Sequence, residues 1–372
     1  MRLHEIKSTS ERWILSCDGG GIRGIVTLRC LEALEQFLGA SCLDVFDMFA
    51  GTSTGSIIAG SLASGRVGVA DLIRLYTNDR RRIFSRSPFG FLHPLVTKYR
   101  KKPIHSILHS LLGDMTLADC PRDLLITATD TVRSETIYFS AFRPRTGPTF
   151  GAYAVVPLRY AIEASLSAPT YFPPCGRFVD GGVGVHNNPA YAAAVEARRY
   201  SADRAAGQIS NYADMPIRVL SFGTGARSGA LAPGQAERMF SLSWVPYVID
   251  EGTSQAGYQQ SYVCQRELDA AEETIDFLRY QVYLTTETIE RLAGTRIDPS
   301  RLTLDAVGNP AFDTLDRVGE SFGKWLGRHE FFFGQSQSPA RGYWERMGAP
   351  ARPADYLEQI LADFRRVDQQ LG

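Results

Sequence analysis

The sequence predicts an α/β layer fold around a mainly parallel sheet, followed by a mostly helical C-terminal region. Two observations carry this: short apolar runs alternate with helical patterns up to about residue 230, and helical patterns alone follow. Residues 13–17 (WILSC) form an apolar run that stops at Asp18 and three glycines. Ile25, Leu28, Leu31, Leu34 and Leu38 then recur at helical spacing. DVFDMFA (44–50) leads into Gly51-Thr52-Ser53-Thr54-Gly55, and IIAGSLASG reads as a helix ending at a glycine. LLITAT (124–129) and IYFSAF (137–142) read as strands, and 157–167 as a helix closed by Ala168-Pro169. FVDGG (178–182) is a short strand end, 190–200 a helix, and IRVLSFGTG (217–225) a buried strand ending in a glycine turn. LDAAEETIDFLRY (268–280), LTTETIERLAG (284–294), the stretch around 312–326 and PADYLEQILADFRRVDQQL (353–371) read as helices. No Ser/Gly linker separates the two regions. A domain over 10–230 with an extension over 231–372 packed on it is therefore expected.

The 372 residues can bury a large core. Lys+Arg and Asp+Glu are both 40, so net charge is zero and a nucleic-acid polymer is not expected as partner. The six cysteines are scattered without a CxxC pair, which fits a reducing compartment. MRLHEIKSTSERW lacks an apolar secretory core, and no stretch approaches the roughly 20 apolar residues of a membrane span. A cytoplasmic location is expected.

Gly19, Gly21 and Gly24 fit G-x-G-x-x-G between a strand and a helix, with Asp44 20 residues beyond, so a dinucleotide-binding oxidoreductase is one reading. Against it, Asp18 would set a carboxylate beside the pyrophosphate. Asp44 also precedes a buried-looking run rather than ending a second strand.

Gly51 to Gly55 is G-x-S-x-G in strand-to-helix context, the arrangement that pushes a serine out at a helix N-terminus. A serine nucleophile needs a base and an oxyanion hole. Of the six histidines, His329 would complete an α/β-hydrolase order, but WLGRHEFFF offers no turn to deliver it. Asp180, at a strand end before Gly181 and Gly182, is the other candidate, because partial desolvation raises a carboxylate into the range of a working base. Asp-Gly is also a hairpin signal, so the residues alone leave Asp180 between a turn and a base.

DGGGIRG (18–24), GTSTG (51–55) and DGG (180–182), in this order, resemble the patatin-like phospholipase family, supported by LSAPTYFPP (166–174), NNPA (187–190) and LSFGTG (220–225). The resemblance runs from about residue 12 to about 230. It implies a three-layer α/β/α fold and metal-independent hydrolysis of phospholipids or other acyl-ester lipids. Ser53 would be the nucleophile and Asp180 its base. The N–H groups of Gly19, Gly20 and Gly21 would form the oxyanion hole, supported by Arg23, Gly51, Gly55, Gly181 and Gly182. Asp18 would hold the glycine turn through backbone N–H groups. Ser56 stands where many members have glycine, and His186, which could line the cleft, where the family often has a small residue.

IFSRSPFGFLHPLVTKYRKK (83–102) mixes apolar and basic residues and is a candidate contact with a transient membrane surface, with FSLSWVPYVI (240–249) as alternative. More loosely, the chain resembles compact bacterial patatin-like effectors of anti-phage signalling. That resemblance implies a cyclic dinucleotide activator, no other cofactor, peripheral action at the inner membrane and room for a homo-oligomer. The alternative is a constitutive lipase or esterase under other control.

Overall fold

The computed structural model describes residues 7–92, 95–144, 149, 151–202, 212, 215–227, 231, 234–240, 243–264 and 275–328, with isolated positions between 358 and 369. The helix expected over 353–371 lies almost wholly outside these residues, and so do His4, His93 and His329.

The expected layered fold is present. Among the described residues seven strands form one mixed sheet: β1 (Arg12–Cys17), β2 (Met48–Gly51), β3 (Asp123–Asp130), β4 (Glu135–Ala141), β5 (Phe178–Asp180), β6 (Ile217–Phe222) and β7 (Ile275–Tyr280). The order is β4-β3-β2-β1-β6-β7, with β5 also paired to β3. β1, β2, β3, β6 and β7 run parallel, while β4 and β5 are antiparallel to β3. β1 reads as a continuous apolar run because both its faces are covered. Trp13, Leu15 and Cys17 point into one core and Ile14 into the other.

Against the larger core lie α1 (Gly24–Leu38), α2 (Thr54–Ala63), α3 (Val69–Asn78), α4 (Lys102–Leu112) and α5 (Leu158–Ser165). The opposite face carries α6 (Ala190–Ala202), with α7 (Trp244–Val263) packed on it. Asn188 starts α6: its Oδ1 accepts the Ala190 N–H at 3.0 Å. α8 (Thr286–Ala293) and α9 (Asn309–Arg328) return to the larger core.

Residues 275–280 correct the helical reading of 268–280. They are β7, in register with β6 from Ile217↔Ile275 to Phe222↔Tyr280, with Phe277 to Tyr280 buried. A parallel partner and burial on both faces outweigh the helix-favouring alanines and glutamates before them. The sheet therefore continues across residue 230.

β3 sets the position of the site. β4 occupies one edge of β3 over Leu124–Asp130. β2 pairs with the other edge only from Asp123 to Ile126, and β5 enters from the opposite direction to pair with Asp130 through Ala128. β2 and β5 thus share one edge and meet end to end. The turn after Gly51 and the end of β5 at Asp180 arrive at one point.

α9 packs closely on α1. A Cβ on Gly319 would lie 2.9 Å from Val26 Cα, and one on Gly323 2.8 Å from the Arg29 carbonyl oxygen. Arg29 meets Asp316 through two bonds of 2.7 and 3.1 Å beside this seam. Because the opposing atoms are backbone, Gly319→Val should cost about 2 kcal/mol through overpacking. Urea unfolding would read this as a lower midpoint, and an unchanged midpoint would contradict the seam.

Candidate active site

Ser53 adopts φ 53° and ψ −124°, a conformation a non-glycine residue rarely holds. Such a residue costs on the order of 1–3 kcal/mol and persists only where the surroundings over-determine it. Here they do. A Cβ on Gly51 would lie 2.2 Å from the Gly55 carbonyl oxygen, and one on Gly55 2.0 Å from that of Cys17. The turn is therefore pressed between its own strand and helix. The Ser53 N–H donates to Ser165 Oγ at 2.9 Å, and the Ser56 hydroxyl donates to the Ser53 carbonyl at 2.6 Å. Ser56 is thus absorbed as a cap of the turn. The Thr52 hydroxyl lies 2.7 Å from that of Thr127 and donates to the His186 carbonyl at 2.5 Å, tying the turn to β3 and to the segment after β5.

Asp180 arrives opposite Ala128, with its N–H on the Ser167 carbonyl at 3.1 Å. Its Oδ1 accepts the Gly182 N–H at 2.8 Å, and the side chain is buried. Burial pushes its pKa up to about 6, against hydrogen bonds from the Ser53 hydroxyl and the Gly182 amide. No cation pairs with it among the described residues. Gly181 is needed because a Cβ there would lie 2.1 Å from Thr127 Oγ1.

The glycine loop lies against the same point. Gly19 departs from expectation as an oxyanion donor, because its N–H already donates to the Asn187 carbonyl at 3.0 Å. Its carbonyl accepts from Thr224 Oγ1 at 3.1 Å. The Ile22 N–H is taken by the Leu304 carbonyl at 2.7 Å. The amides of Gly20 and Gly21 have no acceptor among the described residues, and both glycines line the cavity that holds Ser53 and Asp180. Arg23 Nε reaches back to the Gly20 carbonyl at 3.4 Å.

Asp18 requires a correction. Its carboxylate bonds not the loop amides but the Arg279 guanidinium on β7, at 2.8 and 2.5 Å. His186 also departs from expectation. Its Nε2 lies 2.8 Å from the Tyr138 hydroxyl, and it is not among the cavity-lining residues. No histidine among the described residues lines the cavity; His105 pairs with Glu163 at 2.7 Å.

The cavity has a volume of about 730 Å³. Ile57, Ile83, Phe84, Ile104, Leu166 and Phe172 supply an apolar lining, while Gln255, Tyr258, Gln281 and Arg279 bring polar groups from α7, β7 and the turn after β7. A long apolar chain joined to a polar group matches this division. Sequence reasoning missed Ser165, Asn187, Leu304 and Arg279 as parts of the site. Asn187 and Ser165 fall in or beside quoted stretches; Leu304 and Arg279 carry no local signal.

Asp180 gives a stability signature. Its folded pKa of about 6 lies above the roughly 4 of an unfolded aspartate, so the folded state keeps a proton that the unfolded state has released. Stability from this group is present below about pH 4, is lost as pH rises to about 6, and is then constant. Asp180→Asn lacks this loss. Its stability relative to the unaltered protein should therefore increase by about 2–3 kcal/mol between pH 4 and pH 7. Urea unfolding of both proteins at the two pH values checks this.

Residues 15–194 match the patatin-like phospholipase family. The chain is 31% identical over 217 residues to an intracellular phospholipase A2 of Caenorhabditis elegans, covering 57% of this chain and 19% of that protein. It is 30% identical over 232 residues to an 85/88 kDa calcium-independent phospholipase A2 of Rattus norvegicus, covering 58% and 27%. It is 25% identical over 304 residues to a probable inactive patatin-3-Kuras 1 of Solanum tuberosum, covering 74% and 79%. The chain thus spans about a fifth to a quarter of the length of the first two relatives. The strained Ser53 turn, the buried Asp180 and the glycine loop all lie within residues 15–194, so the chain carries a domain that matches the patatin-like phospholipase family model.

Proposed function

We propose that the protein is a lipid acyl hydrolase of phospholipase A type, with Ser53 as nucleophile and Asp180 as its base. One observation carries this reading: a serine held in strain at a helix start lines one cavity with a buried carboxylate whose pKa is raised to about 6. Ser53 Oγ attacks the ester carbonyl while its proton passes to Asp180. The Gly20 and Gly21 amides receive the oxyanion. As the intermediate collapses, Asp180 returns the proton to the leaving alcohol and the acyl group stays on Ser53. Water then attacks the acyl-enzyme with Asp180 again as base, releasing the fatty acid. The dinucleotide reading of 19–24 is weakened by the Asp18 carboxylate and by the engaged Gly19 amide, and NAD titration tests it.

In this reading 10–230 is the catalytic domain and 231–372 an extension whose residues 275–280 add β7 to its sheet. The protein is cytoplasmic and peripheral at the membrane when active. Among the described residues no helix is long and apolar enough to cross a membrane. The loop between Arg86 and Tyr99 supports a surface contact. Its base is closed by the Ser87 N–H on the Lys98 carbonyl at 2.9 Å and by Phe84 and Phe172 around Tyr99. Its far end exposes Phe89 (61%), Phe91 (74%) and Leu95 (78%) near the exposed Arg82, Arg86 and Arg100. Exposed apolar side chains with basic residues in the adjoining sequence fit a bilayer surface with anionic head groups.

Hydrolysis of a short chromogenic ester should survive EDTA and fall on the order of 10⁴-fold or more in Ser53→Ala. Full activity in Ser53→Ala and Asp180→Asn would end the reading. kcat/KM should rise with pH through about 6 and then level, since Asp180 must be deprotonated to act as base. Phe91→Ser with Leu95→Ser should lower turnover on anionic vesicles about tenfold or more, through lost apolar burial, and leave the soluble ester unaffected. The regulated form of this reading adds a cyclic dinucleotide activator and membrane degradation in anti-phage defence. A panel of cyclic dinucleotides should then raise turnover on phospholipid vesicles, whereas a flat response leaves a constitutive lipase or esterase under other control.

A further inference from the structure

We infer that Arg279 is a positioning residue of this site: it neutralises Asp18, so that an oxyanion can develop on the neighbouring glycine amides, and it fixes the start of their loop. The inference rests on the acyl-hydrolase reading and extends it to a strand outside residues 15–194. Arg279 and Asp18 are 5% and 3% exposed, and their groups meet through both guanidinium NH nitrogens and both carboxylate oxygens at 2.8 and 2.5 Å. A second bond from the same Arg279 nitrogen, 2.7 Å to Ser221 Oγ, fixes the fork from β6. This is the only ion pair of Asp18 among the described residues. Both residues line the cavity with Ser53, Gly20 and Gly21.

Two physical consequences follow. Asp18 directly precedes the loop, with its N–H on the Phe222 carbonyl at 3.0 Å, so fixing its side chain fixes the direction in which the Gly20 and Gly21 amides leave β1. The carboxylate also lines the same cavity as the loop amides that would receive the negative carbonyl oxygen. In a site removed from water, an unpaired Asp18 would repel that charge. A guanidinium stays charged at every working pH, and its planar fork matches both carboxylate oxygens. It therefore cancels the charge without using a loop amide. A lysine would cancel the charge but lose one of the two directed bonds.

The test compares kcat and KM on the soluble ester, after Ser53-dependent hydrolysis by the unaltered protein has been established. Arg279→Lys should lower kcat about 10- to 100-fold, as expected for a loop displaced by a fraction of an ångström, with KM within about twofold. Arg279→Met leaves a buried carboxylate without a partner and should be the most damaged. If it does not fold, the double variant Asp18→Asn with Arg279→Met carries the test. That variant should fold, with KM within about twofold of the unaltered protein; its kcat should exceed that of Arg279→Met where both fold, since no negative charge faces the oxyanion, and be no higher than that of Arg279→Lys, since both directed bonds are lost. Unaltered kcat in Arg279→Lys overturns the inference alone. So does a loss confined to KM, or a double variant that folds with unaltered kcat. Hydrolysis that persists in Ser53→Ala overturns the acyl-hydrolase reading and this inference together.

Discussion

The site depends on one constraint, the sharing of a single edge of β3. β2 ends opposite Ile126, and β5 comes down the same edge to end opposite Ala128. Neither strand can extend without displacing the other. The chain must turn sharply after Gly51, and that turn carries Ser53 into its positive-φ conformation. Asp180 closes the gap from the other side. The strain at Ser53 is thus a result of sheet topology, held by the packing of Gly55 on the end of β1 and by the Ser165 hydroxyl.

Two carboxylates line one cavity, and their surroundings separate them. Asp18 meets a buried guanidinium through both oxygens. Burial pushes its pKa up while the guanidinium pulls it back, so its charge is set against a fixed cation. Asp180 is equally buried but meets only a hydroxyl and one amide, so desolvation raises its pKa toward neutrality. Pairs of acids whose environments diverge in this way identify the proton carrier and the fixed charge. The absence of histidine from the cavity lining among the described residues is consistent with this division, since Asp180 is already tuned near neutrality.

What could be read from the sequence follows the range of the interactions. Ser53, Gly51 and Gly55 act within one turn, and the run of residue types shows it. Asp180 was ambiguous as an isolated Asp-Gly and became specific only beside the other two motifs. The loop donors were half legible: three glycines announce close approach, but the carbonyl that occupies the Gly19 amide belongs to Asn187, far along the chain. For Asp18 the sequence offers only a local partner, because local capping is what sequence can show. Its actual partner is 261 residues away on a strand whose preceding residues favour helix. Parallel strand pairing has no local signal, so β7 and Arg279 were hidden together.

Residues 304 and 305 connect the remaining parts. The Leu304 carbonyl accepts the Ile22 N–H at the end of the glycine loop, and its oxygen fills the space that a Cβ on Gly21 would need. The next residue, Asp305, takes Lys98 and the Tyr99 hydroxyl, each at 2.5 Å, at the base of the exposed apolar loop. The Tyr99 ring packs on Phe84 and Phe172, which line the cavity. The surface loop and the glycine loop are therefore held by neighbouring peptide units of the C-terminal region. Displacing the surface loop strains the Asp305 contacts first and the Leu304 hydrogen bond next, and no flexible segment lies between them to absorb the movement. The same C-terminal region reaches the start of the glycine loop through Arg279. Both ends of that loop are thus fixed by residues that follow residue 230.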